Sequence, residues 1–305
     1  MRYEEFKESF TNEMIVRMYG SGIDVFPEEV TKVNQTLDAL SFRPEGNNIG
    51  TLLYLEDLYE QHENGRSVVD LVENARQTMT ERLEEIPSLP QIDHDFIEEN
   101  LYLTVVNADM NRGYLAGVPH EILEDMAVVP RVKISEEASF VVKNDMLSPY
   151  GFSREDLLQA AHTNMETREF ICNDLGAVLM GFGMSSPVPD SPSESVYVLT
   201  NPSGIDGAAA ILSDKAMKDA RAMIGEDFLI LPSSRHEVLL VPRSSHMSIK
   251  ELTDMVREVN RTVVDTKDLL SDHVYRYNSR SGSIKMLEPK AEVPEKKPSL
   301  PPVLM

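Results

Sequence analysis

The sequence holds a single cysteine, Cys172. A lone thiol excludes an intrachain disulfide and any zinc site that needs two thiolates. Long apolar runs are missing too, and none approaches the roughly 18 residues that cross a membrane. The opening stretch MRYEEFKESF has acids where a secretory signal needs its apolar segment, so the expected compartment is the cytoplasm. Several catalytic signatures are absent: the Gly-rich phosphate loop, the dinucleotide fingerprint after a strand, paired-cysteine metal motifs and the G-x-S-x-G elbow. His236-Glu237 runs into VLLV and His120-Glu121 into ILED, so neither is followed by the second histidine of a helical zinc protease.

Positive charge is scarce. The 29 Lys and Arg face 51 Asp and Glu, for a net charge of −22. Residues 1–100 hold 22 acids and 8 bases, a balance of −14. A field of that sign repels phosphate backbones and anionic lipid. No Lys/Arg cluster with interleaved aromatics is visible, so neither nucleic acid nor membrane is an expected partner. A protein or a small molecule is.

What is present fills a globular chain of 305 residues, of which 41% are hydrophobic, enough for one large core or two modest ones. Tyr3, Phe6, Phe10, Met14 and Met18 recur at helical spacing and stop at Gly20 and Gly22. Val33–Phe42 and Leu52–Leu55 flank the turn residues PEGNN and predict a hairpin. Ser67 with Asp70, Ser153 with Asp156, and Ser248 with Glu251 are capping patterns that each open a helix. Residues 93–106 have a helical pattern, and 107–118 read as loop. VVPRVKI and SFVVK predict a second hairpin, and FLIL and VLLV a third. HVYRY, at 273–277, reads as the closing strand.

Strands in hairpin-spaced pairs with interspersed helices predict an α+β fold of two packed α/β layers, not a parallel sheet. The expected divisions are an acidic α+β region at 1–90, a helical connector at 91–126 and an α+β domain at 127–287. That domain carries a Ser/Pro-rich loop at 183–195, and the Pro-rich tail at 288–305 is expected to be disordered.

The most site-like stretch is Pro232-Ser233-Ser234-Arg235-His236-Glu237, held between two apolar strands. Imidazole beside carboxylate is the chemistry of a general base, and a nearby hydroxyl that of a nucleophile. Ser233, Ser234, His236 and Glu237 are therefore the catalytic candidates, with Arg235 as a binding candidate. Against this, Ser, Arg and Glu are ordinary turn residues, and neighbours on a strand point to opposite faces. Asn260 and Asp272 are further binding candidates around the last helix and strand. Asp272-His273 could join His236-Glu237 around a divalent metal, but the plainer reading is a cap before HVYRY, and no metal or cofactor is expected. His162 reads as a packed or surface histidine, Cys172 as a small buried residue and Asn201-Pro202-Ser203-Gly204 as a turn.

AGVPHEILEDMAVVPRVKI, YVLTN followed by GAAAIL, LPSSRHEVLLVP, VREVNRTVV and LSDHVYRY resemble domain-of-unknown-function family 5688. The opening YEEF and TLLYLEDLYEQHENGRSVVDLVE resemble the same family. The resemblance implies a bacterial cytoplasmic protein and carries no activity with it. A fainter similarity reaches a second uncharacterised bacterial family, in which a P-S-R-D-like turn stands at the position of PSSRHE. Two functions follow as expectations. One is a binding or regulatory protein; the alternative is a small hydrolase or transferase, metal-assisted or not, centred on PSSRHE.

Overall fold

Phe6, Phe10, Met14 and Met18 stand four residues apart, so a helix stacks them in one stripe. In the computed structural model, which describes residues 1–46, 50–84, 90–135, 138–181 and 195–289, all four are buried along α1, Tyr3–Met18. The chain forms two compact units. One comprises residues 1–122 and 127–164, the other residues 123–126 and 165–305.

In the first unit β1 (Ile23–Lys32), β2 (Gln35–Pro44) and β3 (Thr51–Tyr54) make an antiparallel sheet in that order. The expected β2–β3 hairpin is there. The preceding strand β1 was not legible, because it is an edge strand with Pro27 in its middle and no buried residue. Lys32 pairs with Gln35, so the turn is the two residues Val33-Asn34, with Asn34 at φ 60. Two-residue hairpins need that left-handed conformation, and Asn tolerates it. The helices α2 (Glu56–Glu63) and α3 (Val68–Glu84) join α1 in covering the sheet. Phe10, Leu40, Phe42, Leu71, Val72 and Met79 are among the residues of this core. The Ser67 hydroxyl accepts the Asp70 N–H at 3.1 Å, the cap that the sequence pattern predicts for α3.

The helix expected over 93–106 stops early. It is α4 (His94–Asn100), and Leu101–Asn107 is the strand β4. Leu101, Leu103, Thr104, Val105 and Val106 are all buried, so packing on both faces overrides the helical spacing. A short helix, α5 (Arg112–Ala116), interrupts the expected loop. Next come β5 (Glu121–Leu123), β6 (Met126–Lys133) and β7 (Ser139–Val141), with β6 paired to β4, β5 and β7. The β6–β7 hairpin matches expectation. The helices α6 (Asn144–Leu147) and α7 (Arg154–Met165) follow, α7 opening on the Ser153 cap. The Asn34 and Asn111 amides bond each other at 2.6 Å across residue 90, and β4 pairs with β6 across residue 126.

The second unit is built on a six-stranded sheet in the order β13-β12-β10-β11-β9-β8. Its elements are β8 (Ile171–Asp174), α8 (Leu175–Gly181), β9 (Tyr197–Thr200), a 3-10 turn at Gly207–Leu212 and α9 (Asp214–Ile224). They continue with β10 (Phe228–Leu231), β11 (Val238–Pro242), α10 (Ile249–Thr262), β12 (Val274–Asn278) and β13 (Ser283–Leu287). The FLIL and VLLV runs are the central pair β10–β11. HVYRY is β12 but does not close the sheet, since β13 lies outside it. Leu252 and Val256 of α10 pack on Leu229, Leu231, Val241 and Val274. Helices on antiparallel hairpin sheets are the α+β arrangement the sequence predicts. Among the described residues no helix is long and apolar enough to cross a membrane. The Ser/Pro-rich loop and the tail lie outside the described residues, apart from Ser195, Glu288 and Pro289.

Candidate functional site

Between β10 and β11 the chain does not turn tightly. Pro232–Arg235 instead pairs with the segment Asp268–Ser271, which runs up to β12. Ser271 N–H donates to the Pro232 carbonyl at 2.9 Å, Leu270 N–H to Ser233 at 3.1 Å, and Arg235 N–H to Asp268 at 2.9 Å. That ladder fixes the backbone of the loop. It leaves Ser233 and Ser234 buried, and Arg235, His236 and Glu237 half-buried.

The side chains of the loop are engaged within the same unit. His236 Nδ1 accepts the backbone N–H of Asp206 at 3.3 Å, which puts the ring proton on Nε2. That Nε2–H donates to Asp268 Oδ1 at 3.0 Å. The Arg235 guanidinium donates through Nε to Asp206 Oδ1 at 2.8 Å, and Nη2 reaches the same oxygen. Ser234 Oγ accepts the His236 N–H at 3.0 Å, so the hydroxyl serves the loop backbone rather than the ring. The Thr200 hydroxyl donates to the His236 carbonyl at 2.8 Å.

Asp206 owes its place to the turn before it. Asn201 Nδ2 donates to the Ile205 carbonyl at 2.7 Å, and Ser203 Oγ donates to Asn201 Oδ1 at 2.9 Å. The NPSG motif is thus a turn, and it sets Asp206 at φ 56. Gly207 then lies against β9. A Cβ there would come 2.8 Å from Asn201 N, and closer still to Thr200 Oγ1 and the His236 carbonyl.

A second imidazole–carboxylate pair sits on the other end of the 268–273 segment. His273 Nδ1 donates to Asp125 Oδ2 at 2.9 Å. Ser271 Oγ donates to the same oxygen at 2.8 Å, and the Tyr275 hydroxyl to Asp125 Oδ1. Burial, and then the bond to Asp125, pushes the Tyr275 hydroxyl far above the usual phenol range. Ser271 and Tyr275 are inaccessible, which leaves His273 as the group with chemistry to offer. Its Nε2 has no partner among the described residues.

Asn260 and Asp272 meet at this end, as their sequence grouping suggested. Asn260 Nδ2 donates to Asp272 Oδ1 at 2.7 Å and to the Ser271 carbonyl at 2.9 Å. Asn260 Oδ1 is buried without a donor among the described residues. Glu237 makes no side-chain hydrogen bond or ion pair among them either. No three His, Cys, Asp or Glu side chains converge as a cation-ligating group among the described residues. The four-donor arrangement of His236, Glu237, Asp272 and His273 therefore does not form, because each imidazole turns to a different aspartate.

The minor candidates are soon placed. His162 Nε2 bonds Glu121 Oε2 at 2.9 Å on the surface of the first unit. Cys172 is half-buried on β8, and burial pushes its thiol up to about 11, which leaves little thiolate at neutral pH. The residues that sequence reasoning missed are Asp125, Asp206 and Asp268.

A family model described as a family of unknown function, DUF5688, matches residues 3–279. The chain belongs to that family. No curated protein and no solved structure matches it.

Proposed function

We propose that the protein acts by binding a partner and that the PSSRHE loop is an internal clasp, not a catalytic centre. One observation carries this reading: both ring nitrogens of His236 are occupied, and Ser234 Oγ faces the backbone. A general base needs a free lone pair within reach of its proton, and the His236 ring offers none.

The surface best suited to a partner lies in the first unit, at the C-terminal end of α1. A cleft of about 400 Å³ is lined there by Ile15, Met18, Tyr19, Ile23, Asp24 and Glu45, among others. Of its lining, Ile15 is 40% exposed and Tyr19 92%, so large side chains stand there without cover. The surrounding sequence is strongly acidic. Apolar anchors within an acidic field suit a protein segment with apolar side chains flanked by lysine or arginine. The test is recovery of a stoichiometric partner by the wild type and by the Ile15→Ser/Tyr19→Ser variant. The reading expects a partner that is held at low salt, released at high salt and lost by the variant. Equal recovery by both, or no partner at all, contradicts it.

A second reading, a small hydrolase or transferase, is favoured by one observation at a different residue. His273 is oriented by Asp125 and keeps Nε2 open, the arrangement of an aligned general base. It requires that the wild type turn over an ester or phosphoester panel and that His273→Gln abolish this at an unchanged melting temperature. An inactive wild type removes it.

A further inference from the structure

In a chain of net charge −22, carboxylates far outnumber cations, so an arginine has acidic partners in plenty. Arg243, Arg276 and Arg280 nonetheless have no ion-pair partner for their guanidinium groups among the described residues, and all three line one cleft. We propose that this cleft, of about 330 Å³, binds a compact phosphate-bearing small molecule.

The sheet of the second unit builds it. Phe228 pairs with Pro242 and Leu229 with Arg276, so Asp227, Arg243 and Arg276 arrive together at one end of β10, β11 and β12. Arg280 comes from the turn between β12 and β13, where its backbone N–H is fixed to Asn278 Oδ1 at 3.0 Å. Tyr277, buried and stacked on Phe228, anchors the floor. Asp227 is the one carboxylate of the lining. It accepts Arg221 Nε at 2.8 Å, and that bond first, then a bond from Ser279 and lesser attraction from Arg221 and Arg243, hold it below the usual carboxylate range. The neighbouring Glu226 is likewise engaged, accepting the Ser244 N–H at 3.1 Å.

Three guanidinium forks around a polar cleft match the oxygens of a phosphate group, which accepts several charge-assisted bonds at once. The size of the cleft and the acidic field of the rest of the chain disfavour an extended polyanion. The proposal shares no residue with the clasp or with the acidic cleft of the first unit, and it stands or falls separately from them.

Calorimetric titration of the full chain at low salt, with pyrophosphate and with inorganic phosphate, tests it. Pyrophosphate is expected to bind more tightly than phosphate. Arg243→Gln, Arg276→Gln and Arg280→Gln should each weaken it roughly threefold to tenfold, and the triple variant should not bind. All three side chains are exposed, so the ligand-free melting temperatures should match the wild type and exclude a folding defect. Failure of both anions to bind overturns the proposal. So does unchanged binding by the triple variant, or binding of a single-stranded oligonucleotide but not of pyrophosphate.

Discussion

His236–Asp268 and His273–Asp125 are nearly the same pair by every simple measure. The nitrogen–oxygen distances are 3.0 and 2.9 Å, and the imidazole side chains are 28% and 27% exposed. They differ at the second ring nitrogen. In His236 it accepts a backbone N–H from Asp206, whereas in His273 it is open. The difference comes from the backbone: Asp206 is held in a left-handed conformation that aims its N–H at the ring. A carboxylate beside an imidazole therefore does not mark a base. What marks one is the state of the other nitrogen.

The comparison can be broken most severely at Gly207. Gly207→Ala drives a methyl into the contact between β9 and the loop, and should destabilise the protein by about 3 kcal/mol in denaturant unfolding. A loss below about 1 kcal/mol would mean that the loop yields readily and is no clasp. Next in size is the contrast between the histidines. His236→Ala removes two bonds and strips Asp268 of its donor, for an expected loss of about 2–3 kcal/mol. His273→Ala leaves Asp125 its bonds from Ser271 and Tyr275, and about 1 kcal/mol is expected. A reversed order would contradict the assignment of clasp and open pair.

Tyr275 sharpens the comparison through pH. Its hydroxyl is raised by burial first and by Asp125 second, so the folded protein keeps a proton that the unfolded chain releases near pH 10. Stability from this group is therefore complete below about pH 10 and falls as pH rises beyond it. Tyr3, raised for the same leading cause, adds to the slope. Tyr275→Phe should flatten the alkaline slope by up to one proton, and an unchanged slope would place the hydroxyl outside the network. Smallest of all is Glu237→Gln, expected within about 0.5 kcal/mol because its carboxylate holds nothing. A larger loss would reveal a partner for it.

Most of the local structure could be read directly. The α1 stripe, the three Ser caps and the β10–β11 pair follow from spacing, because each is decided by neighbours within a turn or a hairpin. β1, β4 and β13 were not legible. β1 is an edge strand and carries no apolar alternation, and β4 is buried on both faces and so lacks the alternation that marks a strand. The site divides in the same way. PSSRHE stood out as a polar loop between core strands, and Asn260 with Asp272 as a local pair. Their partners did not, because Asp206, Asp268 and Asp125 lie 29, 32 and 148 positions from Arg235, His236 and His273. Among 51 acids, no pattern singles those three out.

The most direct test of the clasp is the rate at which diethyl pyrocarbonate modifies each histidine at neutral pH, read by peptide mass spectrometry. The reagent needs an unprotonated, unshared ring nitrogen, and the two histidines are equally exposed, so the rates compare availability alone. The account predicts that His273 reacts several times faster than His236. If His236 reacts as fast as His273 or faster, the loop holds a free imidazole, and catalysis at PSSRHE becomes the better reading.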